Sequence, residues 1–301
     1  MAGAFTAVDL AKLPFPDAVE VLDFEVILSE VLADYQSRDP SFSAVVESDP
    51  AYKILEVAAF REMLIRQRVN EAVKAVTLAY AIGSDLDQIA ARYNVQRLLI
   101  AAGNPDAVPP TDDVYESDDS LRRRVQLSFE GFSTAGPKGA YIFHALGADA
   151  RVLDADAYGP PETPGVVRVA VLSNIGDGVA PTDLLEAVSA TLAADDVRPL
   201  TDNVVVESAD IVNYTVSATL TLYDGPDSEV VLSAARTELA AYVEKNRKLG
   251  RDVTLSGLYH ALHQEGVQDV TLESPPASVV TAWNQSAYCT SSTVVAGGID
   301  E

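Results

Sequence analysis

The sequence contains a single cysteine, Cys289, among its 301 residues. One thiol cannot form an intrachain disulfide, and it excludes a zinc site built from several cysteines. Long apolar runs are also missing, because no stretch approaches the roughly 18 apolar residues that a membrane-spanning helix needs. The first residues lack the basic segment and the unbroken apolar segment of a secretory signal. We therefore expect a cytoplasmic product, in a reducing compartment and without membrane insertion.

Positive charge is scarce in this chain. Lys and Arg total 21 whereas Asp and Glu total 45, which leaves a net charge of −24. Nucleic acid and anionic membrane surfaces are bound through clustered Lys and Arg, so we expect neither as a partner. The hydrophobic fraction of 48% is nevertheless too high for a disordered acidic chain. The composition predicts a folded, acidic, soluble protein and does not yet indicate an activity.

The first region, residues 1–102, has helical periodicity. Asp49 is placed to cap a long helix that begins at Pro50, where a missing N–H costs nothing. We expect this helix to run to about residue 81, with Gly83 ending it. At 100° per residue it has two apolar sides. One broad side holds Ile54, Leu55, Ala58, Ile65, Val69, Ala72, Val73, Val76 and Tyr80, and a second patch holds Val57, Phe60 and Leu64.

Two interpretations of these apolar sides remain open. The helix is either packed on both sides within its own domain, or it gives one side to a bundle with other chains. Arg61, Arg66 and Arg68 concentrate positive charge on the same helix. They either pair with nearby acids, as Glu62 and Arg66 would at a spacing of four residues, or recognise an acidic partner.

The second region, residues 103–165, combines linkers with short helices. Its first stretch mixes proline, glycine and acidic residues, as exposed connections do. Ser117 or Asp118 can cap one helix, and Gly136 with Pro137 opens another. A second proline-rich break, at 154–165, separates this region from the third region, and we place the main domain boundary there.

The third region, residues 166–274, changes to mixed α and β structure. Val212, Tyr214 and Val216 open a segment of period two, which predicts a half-buried strand with one wet or partner-facing side. Further strands are expected at 166–172, 204–206 and 267–272, and helices from Pro181, at 228–246 and at 255–265. This order is that of a split βαβ domain. We predict an α+β protein in which an N-terminal helical region precedes a C-terminal α/β sandwich domain, with a ferredoxin-like arrangement as one option. Residues 275–301 would form a C-terminal tail.

Patterns that could carry chemistry are weak. His260 and His263 share a helical face, but a third ligand and the H-E-x-x-H arrangement of zinc enzymes are missing. The acidic run at 112–119 lacks the alternating ligands and the central glycine of a calcium loop. The turn at 174–178 has neither phosphate-binding glycine motif. We therefore expect no catalytic residue, no bound metal and no cofactor.

Three long blocks resemble a known family. They are FREMLIRQRVNEAVKAVTLAYAIGSDLDQIAARYNVQR from Phe60, ESDDSLRRRVQLSFEGFSTAGPKGAYIFHA from Glu116, and VRPLTDNVVVESADIVNYTVSATLTLYDGP from Val197. In this order they resemble the baseplate J-like family, the baseplate wedge proteins of contractile-tailed phages and related injection particles. The acidic GGIDE end is similar as well. The resemblance spans nearly the whole chain.

The resemblance implies a non-enzymatic wedge subunit in the virion tail baseplate, assembled in the host cytoplasm. Such a subunit surrounds the central hub and spike and helps to transmit the trigger for sheath contraction. The implied partners are other copies of the chain, a wedge protein that joins a helical bundle, and a small sheath-initiating wedge protein. With the resemblance, an intermolecular bundle becomes the favoured interpretation of the long helix. The expected interface residues are Val57, Phe60, Arg61, Leu64 and Arg68 on the helix, and Val212, Tyr214 and Val216 on the strand.

Two other classes remain as alternatives. An acidic cytoplasmic metal-dependent hydrolase would contain a bound divalent ion and a deep pocket lined by Asp and Glu. An adhesion module at the periphery of a particle would present an exposed β-rich tip, whereas this chain begins with helices.

Overall fold

The computed structural model describes residues 8, 10–41, 49–132, 136–195, 197–225 and 227–300. Contacts divide them into two compact units, separated in the sequence between Arg97 and Leu98. The first unit is helical, and the second combines helices with mixed sheets. The predicted α+β class with an N-terminal helical region is therefore confirmed.

The first unit contains the helices α1 (Phe24–Arg38), α2 (Pro50–Ala75) and α3 (Gly83–Ala91). The predicted start of α2 is confirmed, because the Asp49 carboxylate accepts a hydrogen bond from the Ala51 N–H at 2.8 Å and Pro50 is the first helical residue. The helix ends earlier than predicted. The backbone N–H and the hydroxyl of Thr77 both donate to the carbonyl of Lys74, which closes a tighter turn.

Helices α1 and α2 pack against each other. Ile27 and Leu28 of α1 are buried together with Ala59 of α2. Around them lie the partly buried side chains of Phe24, Val31, Leu32, Tyr52 and Met63. The small Ala59 side chain allows the two helices to approach closely at the centre of this contact.

The second unit contains five α-helices, one short 3-10 helix (Glu130–Phe132) and eight strands among its described residues. In chain order the α-helices and strands are β1 (Leu99–Ala101), β2 (Val114–Tyr115), α4 (Asp118–Leu127), α5 (Lys138–Ala148), β3 (Val152–Tyr158), β4 (Val166–Ser173), α6 (Thr182–Leu192), β5 (Asn203–Ser208), β6 (Asp210–Tyr223), α7 (Ser228–Asn246), α8 (Leu255–Leu262), β7 (Val267–Ser274) and β8 (Gln285–Asp300). The strands predicted at 166–172, 204–206 and 267–272 correspond to β4, β5 and β7. The helices predicted from Pro181 and at 228–246 correspond to α6 and α7.

The first three-stranded sheet has the order β3-β4-β5. Strand β4 runs antiparallel to β3 and parallel to β5, and α6 makes the crossover between the two parallel strands. Apolar side chains of β4 and α6 form the core of this layer with α5: Val169, Val171, Leu184, Val188 and Leu192. Strand β3 begins before the predicted break at 154–165 and continues into it, so part of that break is regular structure.

The second sheet has the order β7-β6-β8, with β6 antiparallel to β7 and parallel to β8. The period-two prediction for β6 is confirmed, since alternate residues from Tyr214 to Leu222 are buried. Helices α7 and α8 contribute Leu232, Leu239 and Leu258 to the core that these residues form. Strands β1 and β2 form a separate two-stranded sheet. The strands of the third region thus divide between the two three-stranded sheets, which differs from the single sheet of a ferredoxin-like domain. Strand β8 occupies most of the predicted tail at 275–301.

No helix in the described ranges is both long enough and apolar enough to cross a bilayer.

Candidate protein–protein interface

One half of the α2 surface carries six exposed apolar side chains. These six are between 44% and 70% exposed. They are Ile54, Val57, Phe60, Leu64, Ile65 and Val69. At 100° per residue these positions cover the half of the helix opposite Ala59, the residue buried against α1. We call these six residues, together with Arg61 and Arg68, the α2 stripe.

The α2 stripe shows where the two predicted apolar sides of the long helix lie. Phe60 and Leu64 belong to one side, whereas Ile54 and Ile65 belong to the other, and all four side chains are exposed. The helix therefore does not bury both apolar sides within its own chain. Tyr52, Ala59 and Met63 make the contact with α1 instead.

The positive charges of α2 have different surroundings. Arg66 pairs with Glu62 at 2.6 Å and lies 3.5 Å from Glu20 and 3.7 Å from Glu30. The hydrogen bond from Arg66 to Glu62 raises the pKa of its guanidinium. The local alternative for Arg66, pairing with Glu62 across one turn, is therefore confirmed.

The two arginines of the α2 stripe lie between its apolar rows. Arg68 reaches Glu71 at 3.5 Å, although the Arg68 side chain is mostly in solvent. Arg61 makes no ion pair with any residue that the structure describes. The α2 stripe consequently offers a solvated cation surrounded by apolar side chains.

A buried amide fixes the chain segment that precedes α1 against α2. Asn70 is 5% exposed, and its carboxamide both accepts from the Glu20 N–H at 3.0 Å and donates to the Glu20 carbonyl at 2.9 Å. Nearer the N-terminus, Phe15 stacks on Tyr80 with ring centroids 4.6 Å apart. Sequence reasoning missed these contacts, although a polar Asn in line with the packed residues of α2 is a signal that could have found them.

The strand residues predicted for an interface lie on β6, in the second unit. Val212 is half-buried, whereas Tyr214 is 7% exposed and Val216 1% exposed within the core of the second sheet. Burial raises the pKa of the Tyr214 hydroxyl. The surface that β6 offers to solvent is its opposite face, where Asn213 and Thr215 are exposed. Tyr214 and Val216 point inward because α7 and α8 cover their side of the sheet.

The residues considered for chemistry have structural surroundings. His260 and His263 are both exposed, and the described ranges contain no group of three or more His, Cys, Asp or Glu residues arranged to hold a metal ion. In the acidic run, Asp113 accepts the Gly103 N–H at 2.8 Å and Asp119 pairs with Arg122 at 2.6 Å. The run therefore organises its own loop and the start of α4.

The turn at 174–178 connects β4 to α6, as its position in the sequence predicted. Gly178 has a φ of +111°, and a Cβ there would lie 2.6 Å from a methyl group of Leu172. Glycine is required at this position because a larger residue would strain the backbone and its side chain would clash with the buried Leu172.

Comparisons with known proteins match all three parts of the chain. Residues 47–104 match the Baseplate J-like N-terminal domain, residues 133–208 the Baseplate J-like central domain, and residues 214–294 the Baseplate J-like protein C-terminal domain. The chain is 48% identical to Baseplate protein J of Escherichia phage P2 over 98% of its own length and 99% of that protein. These matches show that the chain belongs to the baseplate J-like family, a family of structural baseplate proteins.

Proposed function

We propose that this structural baseplate subunit is a wedge protein, and that the α2 stripe is one face of a helical bundle formed with other chains. The observation that supports this most directly is the exposed apolar half of α2, inside the match to the N-terminal family domain. Contiguous apolar patches of this kind mark interaction sites on soluble proteins. The proposed contacts come from Val57, Phe60 and Leu64, with Arg61 and Arg68 beside them.

The spacing of the α2 stripe suits bundle packing. Val57 and Leu64 are seven residues apart, as are Arg61 and Arg68, so each pair occupies one position of a heptad. Burying a Leu, Ile, Val or Phe side chain stabilises an interface by about 1.5–3 kcal/mol. Several such side chains outweigh the loss of translational and rotational freedom on association only when they are buried together.

The arginines of the α2 stripe support a partner with acidic residues. A cation that enters an interface without a counter-charge costs free energy, because it loses its hydration. Arg61 lies between two apolar rows, so the partner helix must present a carboxylate beside it or leave it at a solvated rim. Other copies of this chain are strongly acidic, which makes them compatible with such a contact.

The remaining parts of the proposal rest on the family resemblance. The subunit would lie in the virion tail baseplate after assembly in the host cytoplasm, next to other copies, a bundle-forming wedge protein and a small sheath-initiating wedge protein. It would surround the hub and spike, help to transmit the trigger for contraction, and have no enzymatic role. Residues 1–102 would be the assembly region, followed by a middle region at 103–165, a connector at 166–274 and a tail at 275–301. No specific observation favours a hydrolase or an adhesion module.

Charge substitutions in the α2 stripe test the proposal. Phe60→Asp combined with Leu64→Asp should leave a folded chain, because both side chains are exposed, but should abolish co-purification of the neighbouring wedge proteins on co-expression. Gln36→Asp is the matched control, since Gln36 is exposed on α1 and lies outside the α2 stripe. Assembly of the double variant at the level of the control would overturn the proposal.

A further inference from the structure

The second unit contains a cleft of about 350 Å³ that none of the preceding functions uses. It lies where α4, the end of α5, the start of β3 and the segment after α7 meet. Its walls include Arg123, Arg124, Leu146, Val152 and Lys248. The volume lies within the usual range for ligand sites in proteins, and the mixture of apolar walls with a few charged groups is typical of them.

Two of the three cations in the cleft are held by carboxylates of the same unit. Arg124 pairs with Glu116 at 2.5 Å, and both side chains are less than 10% exposed. Glu116 also accepts the Leu98 N–H at 2.9 Å and the Ser120 hydroxyl at 2.8 Å. These contacts fix one side of the cleft before any ligand arrives.

The second cation is anchored in a similar way. Arg123 donates to the Asp154 carboxylate at 2.5 Å, and Asp154 itself is almost completely buried. The other oxygen of Asp154 accepts the backbone N–H of Leu249 at 3.0 Å. This bond positions the residue next to Leu249, Lys248, at the edge of the cleft.

Lys248 differs from both arginines. Its side chain is half-buried, but its ammonium makes no hydrogen bond or ion pair with any residue in the described ranges. Burial lowers the pKa of Lys248, and the nearby charges of Arg123, Arg251 and Lys245 lower it further, while Asp154 acts in the opposite direction. A half-buried ammonium without a direct partner is costly, and an incoming anion would remove that cost.

We infer that this cleft binds a carboxylate side chain of an acidic peptide segment, with the Lys248 ammonium as its direct donor and Arg123 beside it. Leu146 and Val152 would contact the apolar part of that segment. A single carboxylate matches the one ammonium of the cleft that lacks a partner in the described ranges, whereas a polyphosphate would bring several charges to a cleft whose two arginines are already paired. The inference rests on the proposed function in one respect, namely that the segment would come from a neighbouring subunit.

The test uses the full chain with ¹³C-labelled lysines, observed by NMR at the Cε positions. The probes are the blocked peptide acetyl-Glu-Asp-Glu-Asp-amide, its Gln-Asn-Gln-Asn counterpart, and inorganic phosphate. The acidic peptide should shift the Lys248 signal saturably and raise the pKa of Lys248, whereas the neutral peptide should not. Lys248→Gln should weaken binding of the acidic peptide by about tenfold, the effect of losing one charge-assisted hydrogen bond.

Lys53→Gln provides the matched control, because Lys53 is an exposed lysine of α2 in the first unit and does not line the cleft. Peptide affinity of this variant should equal that of the natural chain. The inference is overturned if Lys248 does not respond, if all lysines respond equally, or if phosphate binds at Lys248 and the peptide does not. Because the experiment uses the isolated chain, its failure leaves the α2 bundle untouched, and failure of the bundle leaves this result standing.

Discussion

The carboxylate of Asp154 accepts a hydrogen bond from the backbone N–H of Leu249 at 3.0 Å, although 95 residues separate them in the sequence. The same carboxylate pairs with Arg123 of α4 at 2.5 Å. Asp154 lies in the part of the chain that matches the central family domain, whereas Leu249 lies in the part that matches the C-terminal family domain. One buried side chain thus links two sequence domains within the second unit.

Removal of the Asp154 charge should destabilise the second unit. We expect Asp154→Ala to lower the free energy of unfolding by about 2–4 kcal/mol, because Arg123 loses its counter-charge and the Leu249 N–H loses its acceptor. Urea denaturation followed by circular dichroism measures the change. Asp183→Asn, which interrupts an exposed pair with Arg151, should have a clearly smaller effect. Equal effects of the two variants would show that Asp154 has no special role.

The position of Asp154 inside a strand could not be predicted from the local sequence. The stretch at 154–165 has the composition of a break, because Asp and Ala have low strand propensity and prolines follow. Asp154 is nevertheless inside strand β3, since Arg123 and Leu249 compensate its burial from distant positions. Compensation over such separations leaves no local pattern in the sequence. The cap at Asp49 was predictable because capping depends on neighbouring residues alone.

Asn70 should be important for the stability of the first unit. Asn70→Ala removes both hydrogen bonds to the backbone of Glu20 and leaves that peptide group without its partners, at a cost of about 2 kcal/mol. Thermal unfolding should detect the loss, and hydrogen exchange at the Glu20 amide should become faster. Gln67→Ala, an exposed amide on the same helix, is the control and should change neither measurement. Unchanged exchange at Glu20 in the Asn70 variant would contradict this role.

Arg151 should make stability depend on pH in the acidic range. Its guanidinium donates to Asp149 at 2.8 Å and to Asp183 at 2.6 Å, and these bonds hold the pKa of both carboxyls below the ordinary value of 3.8. A lowered pKa in the folded state means that the stabilisation is complete above about pH 5 and is lost as the pH falls through the folded-state values.

Arg151→Gln should therefore be less stable than the natural chain at pH 7, and the difference should shrink below about pH 4 as the two carboxyls become protonated. Denaturation midpoints measured between pH 7 and pH 3 give the comparison. A difference that stays constant over this range would mean that Arg151 stabilises the fold through packing alone.

Assembly should protect the α2 stripe from a thiol reagent. The single native cysteine permits a clean design, in which Leu64→Cys or Gln36→Cys is introduced into a Cys289→Ser background. Both new thiols should react readily in the free subunit, because both positions are exposed. In the assembled baseplate, Leu64→Cys should react at least about tenfold more slowly, whereas Gln36→Cys should keep its rate. Equal reactivity at position 64 in both states would contradict burial of the α2 stripe.

The two proposed contact surfaces differed in how well the sequence could place them. Apolar residues on two sides of α2 exceeded what one packed face requires, so Phe60 and Leu64 could be singled out before their exposure was known. Tyr214 and Val216 could not be placed in this way. Alternation along a strand gives one apolar side, but it does not tell whether α7 and α8 of the same chain or another protein covers that side.

Cryo-electron microscopy of the assembled particle tests the central claim most directly. We predict density for this chain in a ring around the baseplate hub, with Phe60 and Leu64 of α2 buried against helices of other chains. A map in which the chain is part of the baseplate but the α2 stripe faces solvent would contradict that claim.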